Sequence, residues 1–254
     1  SWQVQISEMG KLFDHESLEL TIDKEKKAVI EYDGHLERIF ADEITPYPLT
    51  QTKIDYWNER LEEITGQVVG YAEVDLTRAS KAESLLGNFM ADAILENDNY
   101  DADIAFVNGG GIWADIDKGD ITVGDILAAL PFTNVVITSE MKGKDVLAIL
   151  EHSLSKGYGI MQQAGISVTY DPGKEVGNRV IEATVNSKKL DEEKYYTVAT
   201  VDYIFYGGGG YTMFANGENP TDHGVLASDL LIEYAKSKGT IHPEIEGRIV
   251  SVKQ

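Results

Sequence analysis

An α+β fold with a mixed β-sheet and packed helices is predicted for this 254-residue chain, and three observations carry the prediction. Apolar residues recur every three to four positions in some segments and at alternate positions in others, so helices and strands are interleaved. Segments 165–170 and 179–185 alternate and flank a stretch rich in Pro, Gly and Asn, which reads as a hairpin and not as part of a strictly parallel sheet. The hydrophobic fraction of 43% over this length is enough to bury a substantial core.

The first 45 residues read as β structure, with strands over 17–22, 28–32 and 36–40 separated by charged turns. Strands this few and short do not make an independent core, so the segment is expected to belong to something larger. Thr45-Pro46-Tyr47-Pro48 is a stiff connector. Beyond it Ile54, Trp57, Leu61 and Ile64 fall at helical spacing before Gly66, which predicts a linker helix over 53–64. The remainder predicts strands over 68–74, 104–107, 135–140, 165–170, 179–185, 196–201 and 247–252. It predicts helices over 83–95, 123–130, 142–154 and 225–238. The division that follows is 1–45, a linker over 46–65, and a main domain over 66–254.

Charge and composition exclude several function classes. With 43 acidic residues against 22 basic ones, the net charge is −21, and no basic cluster offsets it, so no nucleic-acid polymer is expected as a partner. A small anion would need a local site that overcomes this field. The absence of Cys removes disulfides, thiolate metal sites and Cys nucleophiles. No apolar run approaches the roughly 20 residues of a membrane span, and Ser1 to Ile6 lacks the basic start and apolar stretch of a signal peptide.

Metal and nucleophile chemistry find little support. His15, His35, His152, His223 and His242 are scattered, with no spacing that gathers ligands. Gly143-Lys144-Asp145 lacks the flanking residues of a phosphate-binding P-loop. His152 and Ser153 are neighbours on a predicted helix, so they point in different directions and make a poor base–nucleophile pair; His152 reads as a packing or capping residue.

The most informative stretches are two glycine runs. Ile104 to Asn108 leads into Gly109-Gly110-Gly111, and Tyr195 to Val201 precedes Gly207-Gly208-Gly209-Gly210. A strand ending in such a loop brings backbone N–H groups, and here an Asn amide, to one point that suits a polar ligand. Asn108 either meets that ligand or stabilises its own loop. Phe132 and Tyr203 are either core aromatics or flat faces for stacking.

Several motifs occur in a fixed order. They are Glu83-Ser84-Leu85-Leu86-Gly87-Asn88, Asn108-Gly109-Gly110-Gly111-Ile112, Ile121 to Ile126, Leu130-Pro131-Phe132, Glu151-His152-Ser153, Gln163-Ala164-Gly165-Ile166 and Tyr206 to Tyr211. Together they resemble the C-terminal domain of the 5′-nucleotidase family, which includes ecto-5′-nucleotidase and bacterial UDP-sugar hydrolase, over roughly residues 66–254. The resemblance implies a substrate-binding domain for a nucleotide or nucleoside. Its partner would be an N-terminal metallophosphatase domain, otherwise absent, of which residues 1–45 are the last strands. A divalent metal pair would lie in that domain, with no cofactor in this chain, and the location would be extracytoplasmic. The ligand-binding positions it implies are Asn108, Gly110, Gly111, Trp113, Phe132, Gly165, Tyr203 and Gly209, with Phe132 and Tyr203 sandwiching the base. Arg179 and Glu151-His152-Ser153 read as structural.

Two departures stand out. Trp113 occupies the place of a family Arg that contacts substrate, and Gly209 that of an Asp that binds sugar hydroxyls. The first exchange removes a charged fork and adds apolar surface. The expected function is therefore the specificity half of a nucleotide phosphohydrolase, inactive alone. The alternatives are a non-catalytic ligand-binding or interaction module with a degenerate site, and an enzyme of the same fold with another substrate.

Overall fold

The computed structural model describes residues 2–6, 14–38, 45–155 and 159–252. The chain divides into two compact units, residues 1–60 and 61–254.

In the first unit, β1 (Trp2–Ile6), β2 (Asp14–Asp23) and β3 (Ala28–Arg38) form an antiparallel sheet in that order. The separate strands expected over 28–32 and 36–40 are one strand as far as Arg38. Asp33 and Gly34, which read as a turn, instead pair with Glu19 and Leu18. The other expected turn, between β2 and β3, is present, and Lys27 takes a positive φ of 49° in it. Positions 39 and 40 of the third expected strand lie outside the described residues. Helix α1 (Pro48–Thr65) starts five residues before the expected 53, because Pro48 is its first residue, where a missing N–H costs nothing. None of its residues is buried.

The second unit contains three mixed sheets where one was expected. The central sheet has the order β13-β7-β12-β5-β8, formed by β5 (Ile104–Asn108), β7 (Val135–Lys142), β8 (Met161–Ala164), β12 (Tyr195–Val201) and β13 (Glu218–Leu226). Only β12 and β5 pair in parallel within it. A second sheet joins β9 (Ile166–Tyr170), β10 (Val180–Val185), β11 (Lys188–Lys189) and β15 (Ile249–Ser251), with the expected hairpin between β9 and β10. The third is small: β4 (Val68–Ala72), β6 (Gly119–Thr122) and β14 (Thr240–Ile241).

Strand β5 shows why the central sheet sits in the middle. Its side chains alternate between two buried clusters: Ala105 and Val107 pack with α2 (Leu85–Leu95) and α6 (Ala227–Lys238), while Ile104 and Phe106 pack with α4 (Gly143–Ser155). A strand buried on both faces reads as an unbroken apolar run, which is what Ile104 to Val107 is. Helix α3 (Val123–Ala129) begins with a reciprocal capping box between Thr122 and Asp125. Among the described residues no helix is long and apolar enough to cross a membrane.

Two of the motifs that carry the family resemblance hold these layers together. Ser84 caps α2 by accepting from the Gly87 N–H. The buried Glu83 accepts from the backbone N–H groups of Glu246 and Arg248, both at 2.7 Å, and from Asn88 Nδ2 at 2.6 Å. Gly87 has no room for a side chain, because a Cβ there would lie 2.3 Å from Gln162 Oε1. Gln163 in turn donates to the Ile166 and Arg248 carbonyls.

Candidate functional site

Strand directions in the central sheet bring the two glycine runs together. Because β5 and β12 are parallel neighbours, their C-terminal ends leave the same edge, one as Asn108 and the other as Val201. Strand β7 is antiparallel to β12 and β8 to β5, so Phe132 and Asn134 enter that edge from the preceding loop, as does Gly159. The carboxyl ends of strands in such sheets leave a crevice that loops can line.

A cavity of about 590 Å³ opens there, within the range of small-molecule sites. It gathers Asn108, Gly110, Gly111, Trp113, Phe132, Tyr203 and Gly209 of the sequence-predicted positions, together with Asn134, Gly159, Ile204 and Tyr211. Gly165 is the exception and does not line it. It sits between β8 and β9 with φ +76°, and a Cβ would lie 2.1 Å from the Asp103 carbonyl oxygen. Backbone approach and left-handed conformation are enough to require glycine at this position.

The first loop is a single 3-10 turn, Gly109–Gly111. Asn108 makes no cap hydrogen bond to it, so the amide is available at the cavity. Gly111 is needed for that amide's position, since a Cβ there would stand 2.9 Å from Asn108 Nδ2. Trp113 donates its backbone N–H to the Ala129 carbonyl at 3.0 Å, tying the loop's exit to the end of α3. Its indole then meets Phe132 edge-on, with ring centroids 5.5 Å apart and planes at 83°. Among the described residues, Arg78 is a cation held against this loop. Its guanidinium is engaged by the Ile112 carbonyl and Asp115, and Arg78 is not among the lining residues.

The second loop seats Tyr203, which belongs to the short helix α5 (Asp202–Phe205). The Tyr203 ring lies over Gly208, where a Cβ would come within 2.7 Å of two ring carbons. Asp202 Oδ1 accepts from the Tyr203 N–H and from Asn134 Nδ2, both at 2.7 Å, which locks α5 to the start of β7. Gly207 and Gly209 take positive φ of 92° and 63°, so this loop needs glycine for its path as well as for its contacts.

Glu151-His152-Ser153 proves to be three anchors on consecutive residues of α4. Glu151 accepts from the Arg179 and Val180 N–H groups. His152 Nε2 lies 3.0 Å from the Gly209 carbonyl oxygen, which places the ring N–H as donor, and its ring packs edge-on against Tyr211 at 4.5 Å. Ser153 accepts from the Met161 N–H. Burial raises the Tyr211 pKa, against a smaller lowering from its hydrogen bond to Ser153, so the hydroxyl stays protonated. His152→Ala is expected to lower stability by about 1 kcal/mol, through loss of the Gly209 contact, and to weaken ligand binding a few-fold. Urea unfolding with an unchanged slope, followed by titration of the same samples, measures both.

Asn134, Gly159, Ile204 and Tyr211 were not among the ligand-binding positions expected from the sequence, although Tyr211 closes one of its motifs. Asn134 stands two residues after Phe132 with no periodicity to mark it, and only its partner Asp202, 68 positions away, explains it. Among the described residues, no group of three His, Cys, Asp or Glu side chains is arranged to hold a metal ion.

Comparison with known proteins bears on this arrangement. The family model for the 5′-nucleotidase, C-terminal domain, matches residues 66–216. The trifunctional nucleotide phosphoesterase protein YfkN of Bacillus subtilis (strain 168) is 33% identical over 94% of this chain, which spans 17% of that protein. A 5′-nucleotidase of Diplobatis ommata is 29% identical over 98% of the chain, which spans 47% of it. Among solved structures, the 5′-nucleotidase precursor of Thermus thermophilus superposes with a TM-score of 0.78 at 29% identity. That match covers 96% of this chain and 50% of the other.

Proposed function

The chain belongs to the 5′-nucleotidase C-terminal domain family, and on that premise we propose that its cleft grips the uncharged part of a nucleotide or nucleoside, above all the base. The lining supports this reading: Trp113, Phe132, Tyr203 and Tyr211 supply ring surface, Asn108 supplies an amide, and none of the described lining residues is charged. Flat apolar faces with a few neutral hydrogen-bonding groups suit a heteroaromatic ring. Among the described lining residues there is no Arg or Lys to pair with a phosphate.

In this reading residues 1–45 close a metallophosphatase domain, 46–65 link, and 66–254 bind substrate. Hydrolysis of the phosphate ester would fall to that other domain with its divalent metal pair, in an extracytoplasmic protein. No step of that chemistry is assigned to residues of this chain, whose described carboxylates and imidazoles are not gathered for a metal.

The test is a calorimetric titration with adenosine and AMP. The native chain is expected to bind both with similar affinity, since nothing in the lining rewards the phosphate. Trp113→Arg is expected to strengthen AMP binding by about 1–2 kcal/mol and to leave adenosine unchanged. Much tighter binding of AMP than of adenosine by the native chain would contradict the reading.

The same uncharged lining favours a second reading, a binding module without a catalytic role, because neither Trp113 nor Gly209 offers the polar anchors of its relatives. The two separate on turnover by the longer protein: Phe132→Ala raises KM for a 5′-nucleotide in the first case, and there is no turnover to affect in the second.

A further inference from the structure

Beside the cleft is a recess of about 20 Å³ that shares Asn108, Gly111, Phe132 and Asn134 with it. Its other walls are apolar and buried, among them Met90 and Ala93 of α2 and Leu230 of α6. The recess therefore runs from the cleft into the wedge between the edge of the central sheet and the two helices on one of its faces. A space of roughly 10–15 Å³ by this measure admits one water, so this one takes a single group of about that size. Water is a poor occupant, because polar partners are offered only at the mouth, where Asn134 is already engaged with Asp202.

We propose that this recess is a subsite for one small apolar substituent, a methyl group or a halogen of similar size, on the edge of the planar ring held in the cleft. The proposal rests on the reading of the cleft as a site for a base. It makes α2 and α6, remote in sequence from both glycine runs, determinants of which ring is preferred. Ala93 sets the depth, since any larger residue there fills the space, and Leu230 sets the width. A ring without the substituent leaves the recess empty; one with it removes a methyl group from water, for about fourfold tighter binding.

The experiment compares matched nucleosides by calorimetry: uridine with 5-methyluridine, and adenosine with 2-methyladenosine. In at least one pair the methylated member is expected to bind about fourfold more tightly. Ala93→Val is expected to abolish that gain, so that the methylated nucleoside binds no more tightly than its parent. Leu230→Ala, which enlarges the recess, should shift the preference from methyl to ethyl, and it serves if Ala93→Val fails to fold. Equal or weaker binding of both methylated nucleosides, with the parents still bound, overturns the recess and leaves the cleft reading intact. Failure of all four to bind overturns both.

Discussion

Glu83→Ala is expected to lower folding stability by about 3–5 kcal/mol. Glu83 is only 7% exposed, and its carboxylate is shared among the Glu246 and Arg248 N–H groups and the Asn88 amide. Truncation strands these donors together, and each unmet buried donor costs about 1–3 kcal/mol. The bonds join the start of α2 to the segment that enters β15, two elements more than 150 residues apart. Loss of the junction should thus appear first as faster amide exchange at Arg248 and Ile249. Glu83→Gln keeps one acceptor oxygen and should cost roughly half as much. Urea unfolding of both variants is the measurement; a loss below about 1 kcal/mol for Glu83→Ala would show that water replaces the carboxylate readily.

The same residue illustrates what was legible in the sequence and what was not. Glu83-Ser84 opens a segment at helical spacing, so the helix could be read locally, although it starts at Leu85 and not at the expected 83 because Ser84 is its cap. The partners of Glu83 lie at the other end of the chain, and no local pattern reports a contact of that range. Strand β13 escaped for a different reason. It is an edge strand with Pro220, a positive φ at Asn219 and two register shifts, features that edges tolerate and that erase alternation. Its length also moved the start of α6 from the expected 225 to Ala227. Asp33-Gly34 erred in the opposite direction, because a good turn pair is still compatible with an extended ladder when the partner strand is long enough.

At the site, both glycine loops and the aromatics beside them were visible as residue types at strand ends. That they share one cavity was not, since it follows from the parallel pairing of β5 with β12. Gly165 shows the limit of reasoning by motif. A glycine in a motif is required for backbone conformation, for close packing or for a ligand, and only coordinates separate the three. Gly111, Gly208 and Gly165 all exclude a side chain, yet only the first two do so against groups that line the cleft.

Removing both stacking faces, Phe132→Ala with Tyr203→Ala, is expected to weaken nucleoside binding by roughly 30-fold or more, from about 1–3 kcal/mol per ring. Stability should hardly change, because Phe132 is 44% and Tyr203 53% exposed, so little core packing is lost. That combination separates a binding role from a structural one, which would show the reverse. Stacking is nearly indifferent to which base is held, so adenosine and uridine should lose affinity by similar factors. The readout has to be calorimetric, because Phe132 touches Trp113 edge-on and its removal would alter indole fluorescence with or without ligand. Gly208→Ala supplies an independent test that keeps both rings. A Cβ at that position would lie 2.3 Å from the Tyr203 carbonyl oxygen and 2.7 Å from its ring, so the backbone and the ring must both move and binding should weaken. If the double variant retains native affinity while Gly208→Ala unfolds the chain, Tyr203 and Phe132 are ornaments of the loop and the ligand sits elsewhere. If both variants fold and both lose affinity, the glycine run has a specific task in binding: it leaves the space that lets an aromatic ring lie flat at the edge of the sheet.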